Sequence, residues 1–242
     1  ICYTICNMKD SYKRILLKVS GEFFGDSESC ISVPKVEELV AGIKVLLKEG
    51  IQVGVVVGGG NIFRKRFVEG TTVDPMIADY MGITGTIINA LILNERLNAV
   101  DVVSVVQSAW PIKDIVDGVD PHSAQGIVMK GGVVVFAAGT GKPNVTTDTG
   151  VVERAIDLKA EVIVKATKVD GVYTKDPEKF SNAQKIESMT LDEALERGVQ
   201  IMDTEALVKA KEHSIAIHVI KFSPENLQTL AQGKEIGTVV SV

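Results

Sequence analysis

Four aliphatic runs, each stopping at a loop of small residues, set the terms on which this chain can fold. They are "YKRILLKVSGE" (12–22), "IQVGVVVGGGN" (51–61), "GVVVFAAGTGK" (132–142) and "EVIVKATKVDG" (161–171). Short apolar runs that do not alternate with polar residues read as strands buried on both faces, the pattern of a parallel sheet. Helical spacing fills the intervals. In "PKVEELVAGIKVLLKEG" (34–50), Val36, Leu39, Val40, Ile43, Leu46 and Leu47 fall on one face. Pro34 suits its first turn and Gly50 its stop. A second helix is expected over about 74–97, with a kink or break at "GITG" (82–85). Further strands are expected at 102–106, 215–220 and 237–242. Further helices are expected near 120–130 and at 149–160, 190–198, 204–214 and 224–233. The expected fold is α/β: a three-layer α/β/α sandwich with a mainly parallel central sheet.

Composition agrees where it bears on class. Aromatics are only 5% of 242 residues, which suits aliphatic strands under helices better than a β-sandwich. The length fits one large domain or two small ones. The texture turns polar and turn-rich after residue 165, which suggests two lobes, 12–165 and 166–242, with 1–11 an N-terminal extension expected to be poorly ordered. The net charge of −5 excludes a wholesale nucleic-acid binder, whose footprint is a basic excess. Cys2, Cys6 and Cys30 are odd in number and have no histidine nearby. They form neither a disulfide framework nor a zinc site, and a reducing cytoplasm is expected. No apolar run approaches the roughly 18 residues of a membrane span.

In open parallel sheets, ligands bind at the C-terminal ends of the strands. Here those ends carry Lys18-Val19-Ser20-Gly21, Gly58-Gly59-Gly60, Gly139-Thr140-Gly141-Lys142 and Thr167-Lys168. Such loops offer backbone N–H groups to anions without side-chain obstruction. The absence of G-x-x-x-x-G-K-[ST] excludes a Walker-type site, and "GGGNIF" lacks the last glycine of a dinucleotide fingerprint. Lys18, one strand away from the glycines, is the candidate cation for the phosphates. Plainer readings stand beside each of these. Gly58–Gly60 reads as a turn, Lys18 as a solvated charge, and Asp148 and Asp203 as helix N-caps. Asp170-Gly171 and Asp176-Pro177 read as turn pairs, and Arg64-Lys65-Arg66 as a solvated patch.

Six segments in order, "YKRILLKVSGE", "VVVGGGNIFR", "ADYMG", "GTGKPNVTTDT", "KATKVDGVYTKDP" and "IMDTEA", resemble those of bacterial UMP kinases, which have the amino acid kinase fold. The resemblance runs from about residue 12 to 240. It implies transfer of the ATP γ-phosphate to UMP, with Mg²⁺ brought by ATP and no dedicated metal ligands. By the same resemblance, Lys18, Val19, Ser20, Gly21, Gly60, Arg64, Thr167, Tyr173 and Asp176 bind ATP. Gly59, Asp79, Thr140, Gly141, Lys142, Pro143, Asn144, Val145, Thr146 and Thr147 bind UMP. Lys18, Asp148 and Asp203 form the catalytic set. It further implies a cytoplasmic homohexamer that GTP activates and UTP inhibits, with no membrane or nucleic-acid partner.

The chain departs from that family in three places. Lys142-Pro143-Asn144-Val145 stands where Gly-Asn-Pro and two aromatics are usual. Lys65-Arg66 replaces small residues, and the segment after Glu22 is one residue short. Competing readings are a kinase for a carboxylate acceptor and a non-catalytic nucleotide-binding protein. "TTDT" and "ADYMG" favour a nucleotide acceptor, and the retained Lys18, Asp148 and Asp203 favour catalysis.

Overall fold

The computed structural model describes residues 12–175, 177, 179–199 and 201–242. The N-terminal extension and Asp176 lie outside the described residues. The strands are β1 (Arg14–Val19), β2 (Gln52–Val57), β3 (Ser104–Ser108), β4 (Asp117–Gly118), β5 (Val133–Ala137), β6 (Val162–Thr167), β7 (Val172–Tyr173), β8 (Lys185–Ile186), β9 (Ser188–Thr190), β10 (Ala216–Lys221) and β11 (Thr238–Ser241). The helices are α1 (Val33–Lys48), α2 (Pro75–Asn98), α3 (Pro121–Met129), α4 (Thr147–Leu158), α5 (Leu191–Arg197), α6 (Thr204–Glu212) and α7 (Pro224–Ala231). One nine-stranded sheet runs β4-β3-β5-β2-β1-β6-β10-β11-β9. Its pairings are parallel except β10 with β11. β7 and β8 form a separate antiparallel pair.

Period-two alternation sorts the strand side chains into two cores. Ile15, Leu17 and Val19 of β1 pack with α1, α2 and α7, while Leu16 packs with α3, α4, α5 and α6. The other central strands divide in the same way, so the expected three layers are present. Alternation also places Lys18 on the face of Leu16, and Lys165 of β6 on the face of Ile163.

Helix α2 differs from expectation. It runs unbroken from Pro75 to Asn98, through "GITG". Gly85 serves contact. A Cβ at Gly85 would lie 3.1 Å from Ile62 Cβ and 3.2 Å from Gly59 O. The bare helix surface lets the loop after β2 lie directly against it. Asn89, fully buried, fastens that loop, donating from Nδ2 to Gly58 O at 2.7 Å and to Asn61 Oδ1 at 2.7 Å. The expectation that no apolar stretch reaches spanning length is also corrected. An 18-residue window of α2 has mean hydropathy 1.5. Here Ile87, Ala90, Leu93 and Leu97 bury one side of that helix in the core.

The loop–helix contact predicts a cost for one added methyl. In Gly59→Ala the new Cβ would fall 2.6 Å from Gly82 O and 2.9 Å from Thr86 N, both backbone atoms. The expected loss is about 1–3 kcal/mol of stability, read as a lower urea midpoint. An unchanged midpoint would show that the loop does not rest on α2.

Candidate active site

β1 and β6 are neighbours, and their register sets Lys18 opposite Lys165. Both side chains rise from the same face near the C-terminal ends of the strands. Lys18 Nζ lies 3.4 Å from Asp148 Oδ1, with the two side chains only 15% and 19% exposed. Lys18 is therefore not the solvated charge of the plainer reading. Lys165 Nζ donates to the carbonyl of Ile201. Burial holds its pKa below the ordinary lysine range, and Lys18 adds to that, while Asp148 and Asp203 oppose it.

Two helix N-termini bring the carboxylates in. Thr146 caps α4, its Oγ1 accepting from Asp148 N at 3.1 Å and Thr149 N at 3.4 Å. The cap reading of Asp148 is thus corrected. Asp148 sits in the first turn of α4, and its buried Oδ1 accepts no hydrogen bond and faces Lys18. Asp203 does cap α6, accepting from Ala206 N at 2.7 Å, and its other oxygen accepts from the Thr146 hydroxyl. One connected path runs from α6 through Asp203 and Thr146 to Asp148 and Lys18. The positive ends of both helix dipoles point at the same place, which suits bound phosphate.

Around this centre lie four clefts. One of about 250 Å³ is lined by Lys18, Ser20, Gly21, Glu22, Arg64 and the β2 glycines. One of about 450 Å³ is lined by Gly59, Asp79, Thr140, Lys142, Asn144 and Val145 among others. Gly59, Gly60 and Thr147 line both, so the two clefts share a wall. A third, of about 510 Å³, includes Asp148, Lys165 and Asp203, and a fourth, of about 520 Å³, includes Lys165, Thr167 and Tyr173.

The expected site residues therefore converge, with differences. Val19 turns its side chain into the α1/α2/α7 core, leaving only its backbone at the site. Gly141 and Pro143 do not line the cleft that holds their neighbours. Tyr173 donates to Asp170 Oδ1 at 2.6 Å, so Asp170 does more than turn the chain. Asp79 is engaged on both oxygens, by Lys65 Nζ at 3.2 Å and Asn144 N at 3.0 Å. The basic run divides: Lys65 and Arg66 are exposed, as the solvated-patch reading has it, whereas Arg64 is drawn into the site. Arg64 Nε donates to Gly60 O at 2.7 Å and Nη2 to Glu22 Oε1 at 2.5 Å, while Arg66 lies over the Phe67 ring.

Residues 13–221 match the amino acid kinase family. The chain belongs to the amino acid kinase family. It is 37% identical to the uridylate kinase of Buchnera aphidicola subsp. Schizaphis graminum over 236 residues, 97% of this chain and 98% of that one. The UMP kinase structure from Bacillus anthracis superposes with a TM-score of 0.92 at 31% identity, covering 96% of each chain. That from Ureaplasma parvum gives 0.89 at 33% identity, covering 96% of this chain and 99% of that one.

Two charged residues of this amino acid kinase were missed in the sequence reading. Lys165 was legible in principle: a lysine inside a buried apolar strand, placed two residues from the strand end, much as Lys18 is one residue from its own. Glu22 had no such signal. Its carboxylate takes Arg64 from the β2 side and Lys168, at 2.8 Å, from the β6 side. Hydrogen bonds from Arg64 and then Lys168 lower its pKa from 4.5 to about 2. A depressed carboxylate contributes stability above its unfolded pKa and loses it as pH falls through the folded value. Glu22→Gln should therefore flatten the acid limb of stability between about pH 4.5 and pH 2, followed by urea unfolding at stepped pH. An unchanged limb would mean the two cations do not hold Glu22 in solution.

Proposed function

We propose that this kinase transfers the γ-phosphoryl group of ATP to UMP, giving ADP and UDP. The observation that carries the reading is the shared wall of Gly59, Gly60 and Thr147 between two clefts, with Lys18 lining one of them. A donor phosphate on one side and an acceptor phosphate on the other would meet there. The uridylate kinases to which the chain is similar support UMP as the acceptor.

In this reading the transfer rests on alignment and charge neutralisation. Ser20, Gly21, Gly60 and Arg64, with the backbone of Val19, hold the donor phosphates. Thr167, Tyr173 and Asp176 hold its nucleoside end. Gly59, Asp79 and the loop 140–147 hold UMP. Lys18, with Lys165 beside it, stabilises charge that builds on the transferring group. Asp148 and Asp203 position those lysines. The nucleophile is a phosphate oxygen, and a phosphate monoester is already largely dianionic at pH 7, so no general base is assigned.

Among the described residues no three His, Cys, Asp or Glu side chains gather into a metal-binding group. The buried, hydrogen-bond-free Oδ1 of Asp148 and the neighbouring Asp203 still suit a magnesium ion that arrives on ATP and keeps most of its water. Such an ion would neutralise phosphate charge.

The lobe division, with the acceptor mainly on 12–165 and the donor nucleoside mainly on 166–242, belongs to the same reading. So does a homohexamer, for which the exposed apolar residues Met76, Ile77, Met81 and Ile88 on α2 offer one surface of self-association. A cytoplasmic setting suits the exposed free thiol of Cys30. Responses to GTP and UTP are read by adding each to the assay below.

The test is coupled ADP release with UMP, CMP, dUMP and acetylglutamate as acceptors. Turnover should be fastest with UMP, and faster turnover of acetylglutamate would overturn the assignment. In the same assay Lys18→Ala should lower kcat on the order of a hundredfold to a thousandfold, with a much smaller change in KM for UMP. A near-normal kcat would remove Lys18 from the mechanism.

A further inference from the structure

We propose that Trp110 is a positioning residue for the acceptor loop 140–147, holding the loop's backbone in place from outside it. The loop itself reads Thr-Gly-Lys-Pro-Asn-Val-Thr-Thr and contains no aromatic residue. Trp110 is the single tryptophan of the chain, and it does not line the acceptor cleft. It acts through Gly141. Its indole Nε1 donates to Gly141 O at 3.0 Å.

The approach is built in on both sides of that bond. Gly141 has φ +73, and a Cβ there would lie 2.9 Å from Trp110 Nε1, so a side chain would meet both backbone strain and the indole. Trp110 is placed by the sheet. Ser108 pairs with Ala137 at the ends of β3 and β5, and Ala109 N donates to Ala137 O at 3.3 Å. Trp110 N then donates to Ser108 Oγ at 3.1 Å, and Pro111 restricts the backbone of Trp110 from the other side. The ring is propped by Tyr80 in an edge contact, centroids 5.3 Å apart.

Tyr80 directly follows Asp79, and Asp79 Oδ2 accepts from Asn144 N. The loop is thus pinned at two points three residues apart, Gly141 O from behind and Asn144 N from α2. Asn144 sits at φ 60, in the left-handed region that asparagine enters more readily than most side chains, and its N–H is there held by Asp79. Between the pins lies Lys142, which faces the cleft. Trp110 therefore fixes where the acceptor's binding groups stand without touching the acceptor.

The decisive variant is Trp110→Phe, which keeps an aromatic ring beside Tyr80 and removes the N–H donor together with part of the indole's bulk. Hydrogen exchange of the parent and the variant should show faster exchange across residues 141–146, with β5 and β6 unchanged. In kinetics, KM for UMP should rise about three- to tenfold, the scale of one lost neutral hydrogen bond. KM for ATP and kcat should stay within about twofold of the parent. A variant that is merely destabilised would instead raise exchange in the strands and lower its urea midpoint, and that result would overturn the proposal. So would unchanged loop exchange, or a KM for ATP that rises as much as that for UMP. The kinetic half rests on UMP as acceptor. If the parent fails to turn over UMP, that assignment falls, while the exchange comparison still decides the role of Trp110.

Discussion

Two like charges in register on adjacent strands are the arrangement on which the site depends. Lys18 and Lys165 face each other across β1 and β6 at the centre of the sheet, in a setting dry enough to press the Lys165 pKa downward. Paired cations of this kind are unfavourable by themselves, and burial makes them more so. Asp148 and Asp203 relieve the conflict in part, one from the first turn of α4 and the other from the N-cap of α6. An arriving phosphate relieves it further, since it adds negative charge where positive charge is concentrated. The centre is thus suited to a guest of higher charge than any single carboxylate, and a transition state that spreads charge over phosphoryl oxygens fits it.

Helix α2 ties the loops after β2 and β5 to that centre. Through Gly82, Gly85 and Asn89 it carries the β2 glycine loop, and through Asp79 it reaches the loop after β5. One rigid rod thereby sets the spacing between the wall shared by two clefts and the far side of one of them. Glu22 makes a comparable tie beside β1, holding Arg64 and Lys168 from the loops that follow β2 and β6.

How much of this was legible depends on the kind of interaction. Buried strands and their terminal loops write themselves into sequence as apolar runs and glycines, so the layers and four strand-end loops could be read directly. Gly82 and Gly85 were misread as a break because sequence shows the missing side chain but not what lies against it. The plainer reading of Asp148, as a cap, fails because Thr146, two residues earlier, takes that role, and only coordinates show which oxygen receives the amides. Glu22 and Trp110 escaped for a common reason. Their roles arise from pairings across 31 to 146 positions of chain, which local pattern does not encode.

The placement of β11 has a consequence for how the molecule comes into being. It lies antiparallel to β10 on one side and parallel to β9 on the other, so β9 meets the sheet only through a strand that follows it by about fifty residues. During synthesis the segment around β9 and α5 must wait without a ladder partner until β11 has been made. The fourth cleft draws Gly198 and Val199 from the end of that waiting segment. That cleft is therefore among the last parts of the molecule to assemble, after the glycine loops that follow β1 and β2 already have their neighbours.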